Sequence, residues 1–529
     1  MWVADFRANL AQHLQTEWDL LVVGGGITGA GILLEAARRG LRVLLIEQRD
    51  FAWGTSSRSS KLVHGGLRYL KEGKFGLTRE SVHEREALLA GARGLVEAQS
   101  FAFADYRGRK PGRWLFALGL AIYDLMQGKQ GRHYFKPDQF NMLAPHIGQE
   151  GLQGGLCYQD AKTDDARLVL RVLQEADSFG GVALNYMAAQ AVLKNAAGQV
   201  CGMTVRDALS GNCHEVRAKL VINATGAWAD ALRPVDQPKQ KIRPLRGSHL
   251  IFPAWRLPVA QAISLMHPRD GRPVFVYPWE GVSLVGTTDV DHGADLKKEA
   301  SITLDEANYL MEALHFQFPH LALSLQDVTA SYAGVRPVVD TGAADPSKEG
   351  RDHVVWLEQG LLTVTGGKLT TFRAIALDAL AHAAPLLPHW KADLTPCPIF
   401  ATSPAMQWCP QLKSWQRERL QGRYGRFAAA LVASSALGEL ESVGGSDYLW
   451  AELRWMTRNE AVYRLEDLML RRSRLGLLLP QGGRAELPRL ATICQQELGW
   501  DAQRWQHEVE RYLNVWDSHY SPPRSLPKP

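Results

Sequence analysis

At 529 residues the chain exceeds one ordinary core and calls for two or three domains of roughly 100 to 200 residues each, which excludes the small stapled folds. Hydrophobic residues make up 46% and charged residues 22%, near the globular average, so disordered, collagen-like and polytopic membrane classes are excluded too. Lys and Arg number 60 against 55 Asp and Glu, and a net charge of +5 is too dilute over this length to mark a nucleic-acid binder. The cysteines Cys157, Cys201, Cys213, Cys397, Cys409 and Cys494 form no C-x-x-C pair, so neither a zinc site nor a disulfide framework is encoded, and a reducing compartment fits.

The first seventeen residues carry Asp5, Arg7 and Glu17 without a continuous apolar stretch, so a signal peptide is not expected and a cytoplasmic start is. WDLLVV (18–23) then reads as a buried strand and runs straight into GGGITGAGILLEAARRG. Gly24, Gly26 and Gly29, with Gly25 between the first two, hold the positions of G-x-G-x-x-G. Glycine there permits a tight turn, close backbone approach to a pyrophosphate and close helix–strand contact, while the helix N-terminus faces the phosphates. Ile32, Leu33, Ala36 and Ala37 fall at helical spacing, Gly40 suits the helix end, and LRVLLIE follows as a second strand ending at Glu47. A carboxylate at Glu47 accepts ribose hydroxyls and repels a 2′-phosphate, which points to FAD or NAD rather than NADP.

Two later segments repeat the arrangement. KLVINATG (219–226) is a strand entering a small-residue turn at Ala224, Thr225 and Gly226. LLTVTGGKLTT (361–371) is a strand, then Gly366, Gly367 and Lys368, then Leu369 and a helix from about Thr370. A nicotinamide domain does not need a third glycine-lined return, whereas a long flavin dinucleotide does, so FAD is the expected cofactor.

Between the first two returns lies TSSRSSKLVHGGLRYL (55–70), a loop of small hydroxyl residues and glycines with one His and three basic side chains. Together with DDARLVL (164–170), NATGAW (223–228), RGSH (246–249), VGTTD (285–289), GVRP (334–337) and GGKLTTFR (366–373), it closely resembles the FAD-dependent glycerol-3-phosphate dehydrogenases, in order along residues 17–380. Departures are small: ATGAW where ATGPW is frequent, and AKTDD before Ala166 where an aromatic is common.

The resemblance implies FAD held by Gly24, Gly25, Gly26, Gly29, Glu47, Thr55, Ser56, Ser59, Ser60, Lys61, Leu62, His64, Ala224, Thr225, Gly226, Gly366, Gly367, Lys368, Leu369 and Thr370. It implies substrate contacts from Arg68, Tyr69, His249, Thr287, Arg336 and Lys368. Arg68, Arg336 and Lys368 are the expected phosphate ligands, because guanidinium and ammonium groups match its charge. Removing a hydride from C2 also requires a base for the hydroxyl proton, and His64 and His249 are the candidates, with His64 favoured between Val63 and two glycines. His64, Arg336 and Lys368 form the expected catalytic set, and no metal is expected.

The expected fold is α/β, with a discontinuous Rossmann-like FAD domain (17–90, 165–240, 330–385). To this are added an antiparallel-sheet substrate domain (91–164, 241–329) and an all-helical C-terminal domain (386–529) ending in a disordered Pro-rich tail, SPPRSLPKP. HLIFP, VFVYPW, Glu280-Gly281 and VSLVGTTD supply strands and a hairpin turn, and YLWAELRWMTRNEAVYRLEDLMLRR a long helical pattern.

In residues 107–136 an apolar run with Trp114 and Tyr123 near its ends lies between two basic clusters. It is about half of the roughly 20 residues a span requires, so it would lie in the membrane interface. The expected partners are therefore glycerol 3-phosphate, quinone and the cytoplasmic face of the inner membrane, with a homodimer allowed and nucleic acid not expected. The alternatives are an oxidase of the same family using oxygen, and a flavin-containing RNA-binding protein built on Arg454, Arg458, Arg471, Arg472 and Arg474. Against the RNA reading, Glu452, Glu460, Glu466 and Asp467 interleave with those arginines as on a solvated helix face.

Overall fold

The computed structural model describes the chain except residues 1, 3–5, 68–72, 109–111, 129–130, 235–240, 341, 343–349, 351, 392, 403–405, 407–408 and 524–529. Its first sheet is built on Trp18–Val23, which lies parallel to Val43–Ile46 on one side and to Cys213–Asn223 on the other. Leu361–Gly366 and Val182–Leu184 extend it in the same sense, and His353–Glu358 closes one edge antiparallel. Trp18–Val23 and Val43–Ile46 are near-continuous apolar runs because both faces are covered. On one face the helix Ile27–Ala37 packs between Asp165–Asp177 and Phe372–Ala383. On the other, the antiparallel strands Met187–Lys194 and Val200–Asp207 place Met203 and Val205 against Leu21 and Leu44.

The second sheet runs in the order Val290–Asp291, Ile242–Pro253, Val282–Gly286, Pro273–Trp279, Ala262–Met266, Val96–Tyr106, Leu152–Thr163, Leu62–Val63. Glu280 and Gly281 both have positive φ, 49° and 85°, the geometry that a two-residue hairpin between twisted strands demands. Alternation sorts its side chains. Ile251, Tyr277 and Leu284 face the C-terminal helices, whereas Leu250, Val276 and Val285 face the helix Leu304–Gln317.

Three sequence expectations need correcting here. The sheet is not wholly antiparallel, because Ala262–Met266 pairs parallel with Val96–Tyr106. Ala330–Val339, expected in the FAD domain, pairs antiparallel with Ile242–Pro253 along its whole length and belongs to the second sheet, as does Leu62–Val63 through Leu152–Thr163. Strand membership is decided by the partner edge, and the chain crosses between sheets at both places. The long helical pattern after Tyr448 is also interrupted. Trp450–Asn459 ends before Ala461, whose φ is 49°, and helix resumes at Leu465.

The C-terminal helices pack directly on the second sheet. Tyr424, Leu449, Trp450 and Leu468 share one core with Phe101, Trp279 and Tyr332 of the second sheet. Of the tail expected to be disordered, Ser521 is anchored, since Ser331 donates through its backbone N–H to the Tyr520 carbonyl and through its hydroxyl to the Ser521 carbonyl. Residues 524–529 lie outside the described residues. No helix among the described residues is long and apolar enough to cross a membrane.

Of the arginines that the RNA-binding alternative required, Arg471, Arg472 and Arg474 are buried and Arg454 and Arg458 only partly so, and the acids between them are not solvated. Arg471 and Arg472 donate to Asp50 at 2.5 and 2.7 Å, Arg474 to Asp164 at 3.0 Å and to Asp165, and Arg167 to Glu460 at 2.7 Å. Arg454 and Arg458 are engaged by Glu439 and Glu497. Burial pushes the Asp50 carboxyl up, but Arg472 and Arg471 outweigh it and hold it below the ordinary carboxylate range. A carboxyl depressed in this way contributes stability above about pH 4, lost as the pH falls further. Asp50→Ala leaves the buried Arg472 without its carboxylate and Arg471 with Asp467 alone, and is expected to cost about 3–5 kcal/mol. Thermal melts of the purified variant should show a clear loss at pH 7.

Candidate active site

The parallel register brings Val23, Ile46, Asn223 and Thr363 to one edge of the first sheet, so the turns that follow these strands converge. Ligands of open α/β sheets bind beyond such carboxyl ends. Gly24 has φ +116°, and a Cβ built on it would stand 2.5 Å from the Ala224 carbonyl oxygen. A Cβ on Gly29 would run into the Gly24 carbonyl. The first two returns are thus packed backbone to backbone.

Gly25 donates its N–H to Glu47 Oε2 at 2.7 Å, and Arg49 donates its own to Oε1 at 2.9 Å. Burial pushes the Glu47 carboxyl above its ordinary value. Ser56 Oγ accepts the Ile27 N–H at 3.0 Å, so the Thr55–Ser57 turn lies across the start of the phosphate-facing helix. At Gly26 an added Cβ meets nothing nearer than Ser56 Oγ at 3.1 Å, which marks the groove between the two turns. Thr225 bonds to Asn223 Oδ1, and Gly226, at φ +60°, accepts from Thr365 Oγ1 at 3.1 Å. Gly366 and Gly367 have φ of +80° and +74°, Leu369–Thr371 forms a 3-10 turn, and α-helix begins at Phe372, two residues later than expected. Glycine cradle, acid and helix N-terminus together fit a dinucleotide of the FAD type.

The loop after Thr55 is fastened to both sheets. Thr55 Oγ1 bonds to the Val335 carbonyl, and the Ser59 N–H and hydroxyl reach Asp165 Oδ2 at 2.9 and 2.7 Å. Lys61 Nζ lies 3.0 Å from Asp165 Oδ1, beside the faces of Trp279 and Tyr332. Burial lowers the Lys61 ammonium to about 8. Ser60 Oγ is 2.9 Å from His249 Nε2, and Leu62 is buried at the start of the short strand.

His249 is buried, stacked on Tyr332 at 4.6 Å and register-paired with Gly286, the residue before Thr287. Burial, then Arg336 and Lys61, hold its imidazole well below the usual range. His249 Nδ1 is buried without a protein partner among the described residues, a polar atom that a bound molecule would satisfy. Arg336 donates to Thr287 Oγ1 at 3.1 Å and to Asp289 at 2.9 Å, and Arg272 pairs with the same Asp289 at 3.2 Å. Three expected substrate residues, His249, Thr287 and Arg336, therefore stand together. Lys368 donates to Ser81 Oγ at 2.8 Å, on the helix Phe75–Gly91, and the described contacts do not place it beside Arg336. Arg68 and Tyr69 lie outside the described residues.

His64 is half-buried against Phe101 and Phe275, and Phe275 pairs in register with Gly286, next to His249 and Thr287. Its Nδ1 lies 2.9 Å from Asp160 Oδ2. The sequence reading missed Asp160 and Asp165. The signal for Asp160 was a charge at a position sharing its strand face with Leu156 and Tyr158, where an apolar residue is the default.

A family model described as FAD dependent oxidoreductase matches residues 19–373, and one described as C-terminal domain of alpha-glycerophosphate oxidase matches residues 390–505. The chain is 32% identical over 494 residues to an aerobic glycerol-3-phosphate dehydrogenase of Staphylococcus haemolyticus, covering 88% of each. It is 38% identical over 385 residues to one of Staphylococcus epidermidis, covering 70% of this chain and 68% of the relative. Among solved structures it resembles the glycerol-3-phosphate dehydrogenase of Bacillus halodurans complexed with FAD, with TM-score 0.77, 27% identity and coverage of 97% and 98%. The L-alpha-glycerophosphate oxidase of Mycoplasma pneumoniae shares the fold, with TM-score 0.58, 19% identity and coverage of 74% and 100%. With the glycine-lined turns, the Arg336 corner and both halves of the chain matched, the protein belongs to the FAD-dependent glycerol-3-phosphate dehydrogenase family.

Proposed function

We propose that the chain oxidises sn-glycerol 3-phosphate to dihydroxyacetone phosphate at a membrane surface and passes the two electrons to quinone. The observation that carries this reading is the corner formed by His249 and Arg336 on adjacent strands and Thr287 just after a third, with His64 packed next to it. Bound FAD supplies the hydride acceptor. Arg336 presents a planar fork suited to the phosphate oxygens, and Thr287 and Asp289 hold that fork in place. His64 takes the hydroxyl proton at Nε2, the ring nitrogen that has no partner among the described residues. His249, neutral and bonded to Ser60, orients the hydroxyl rather than removing its proton.

Membrane association rests on the helix Arg113–Gln127. Trp114, Leu115, Leu118 and Leu125 are 77%, 69%, 60% and 82% exposed, while Leu120 and Tyr123 of the same helix are buried. One apolar face thus remains outward, with Arg107, Arg113 and Arg132 at its ends, a pattern suited to an anionic lipid surface. The deciding experiment is anaerobic reduction of the purified protein by glycerol 3-phosphate, followed by reoxidation with a soluble quinone or with oxygen. Peroxide formation at the rate of quinone reduction would favour the oxidase.

Gly26→Val should fold but lose its flavin, because the side chain enters the open groove, whereas Gly29→Val should lose the fold through collision with the Gly24 carbonyl. Flavin absorbance and circular dichroism of both variants separate these outcomes. Arg336→Ala should lower kcat/KM for glycerol 3-phosphate by about 10- to 100-fold, the value of one charged hydrogen bond, and reduce the preference over glycerol. Leu118→Glu should release the protein from anionic vesicles with FAD bound and soluble-acceptor activity intact. Leu120→Glu should unfold it, since Leu120 is in the core.

A further inference from the structure

We infer that Asp160 is a positioning residue for the reaction: its carboxylate fixes the tautomer and ring orientation of His64, and Arg85 and Tyr123 fix the carboxylate. The inference rests on His64 as the proton acceptor. Asp160 lies on the strand Leu152–Thr163 with its side chain 2% exposed. Oδ2 faces His64 Nδ1 at 2.9 Å, while Oδ1 accepts from the Gly65 N–H at 2.9 Å, Arg85 Nη1 at 2.6 Å and the Tyr123 hydroxyl at 3.0 Å. Arg85 also donates to the Tyr123 oxygen at 2.7 Å, so carboxylate, guanidinium and phenol close a ring of bonds.

The donor–acceptor inventory then sets the tautomer. An ionised carboxylate only accepts, so the 2.9 Å contact requires His64 to donate from Nδ1, which leaves the lone pair on Nε2. Burial pushes the Asp160 carboxyl up, but His64 and Arg85 outweigh it and hold it below the ordinary range, so the charge that selects this tautomer persists at neutral pH. The groups facing Asp160 are His64, Arg85, Tyr123 and Tyr158, and burial raises both phenols, keeping them neutral. Glu86 meets Arg85 from its outer side at 2.8 Å.

The arrangement draws on separate elements: Arg85 on the helix Phe75–Gly91, Tyr123 on the outward-facing helix Arg113–Gln127, and His64 directly after Leu62–Val63. Gly65 is what lets them meet. A Cβ there would collide with the Tyr123 hydroxyl and stand 2.8 Å from Arg85 Nη1. An ion pair serving stability alone has no need to spend one carboxylate oxygen on a half-exposed imidazole.

The test uses the full-length holoenzyme and anaerobic flavin reduction by glycerol 3-phosphate across pH, with Asp160→Asn, Tyr123→Phe and His64→Gln. Asp160→Asn should retain FAD, slow flavin reduction by about 100-fold with KM changed only a few-fold, and move the acid limb of the profile to lower pH, because the ring loses its neighbouring negative charge. Tyr123→Phe should move the limb the opposite way, since a carboxylate freed of one donor pulls harder on the ring proton. An unchanged pH profile in Asp160→Asn, or no upward movement in Tyr123→Phe, overturns the proposal. If Asp160→Asn loses its flavin, the direction of the Tyr123→Phe shift decides alone. His64→Gln reducing at the parent rate removes the base assignment and this role with it. A slow His64→Gln beside an unaffected Asp160→Asn removes only the positioning role.

Discussion

The structure depends on buried guanidinium–carboxylate pairing between the C-terminal helices and the loops that surround the cofactor groove. Asp165 accepts from Ser59, Lys61 and Arg474, and Asp164 from Arg423 and Arg474. Removing charges from water is costly, and a pair persists in an interior only when geometry and further hydrogen bonds offset that cost. Here the charges balance: Asp164, Asp165 and Glu280 face Lys61, Arg423 and Arg474. The loop from Thr55 to His64 takes its shape from carboxylates whose countercharges arrive from the far end of the chain.

This explains why the helical part shares a core with the second sheet. A cap resting on a finished active site would bury apolar surface against apolar surface and leave the loop to hold itself. Instead Arg58 donates to the Tyr520 hydroxyl at 2.9 Å and pairs with Glu299, while Tyr332, from the strand that carries Arg336, donates to the Ser59 carbonyl at 2.8 Å. The strand that carries Arg336, the loop after Thr55 and the C-terminal helices therefore form one mechanical unit. Rigid support of this kind places reacting groups to within a fraction of an ångström.

Much of the groove was legible in the sequence because its constraints are local. Gly24 and Gly29 must be glycine where backbone meets backbone, and a strand ending in a glycine turn declares itself over eight residues. The buried clamp was not legible. Arg471 and its partner Asp50 lie 421 residues apart, and acids spaced among arginines look the same whether their partners are water or a distant loop. The same holds for Asp160, whose partners come from separate helices, and for Ala330–Val339, whose apolar alternation suits either sheet until an edge is chosen. In the segment read as a membrane-surface helix, Trp114, Leu115, Leu118 and Leu125 face outward, but Leu120 and Tyr123 belong to the core.

The division of charge within the site follows from the same pairing. Lys61, although its ammonium is lowered only to about 8 and stays protonated at neutral pH, is committed to Asp165. Arg336 and Arg272 share the carboxylate of Asp289. Both guanidiniums are partly exposed, at 22% and 25%, while the carboxylate between them is buried. In the proposed reaction this corner takes the phosphate dianion, and the other end of the three-carbon substrate then points toward His249 and His64. On that proposal the polarity of binding follows from where the interior has already spent its countercharges.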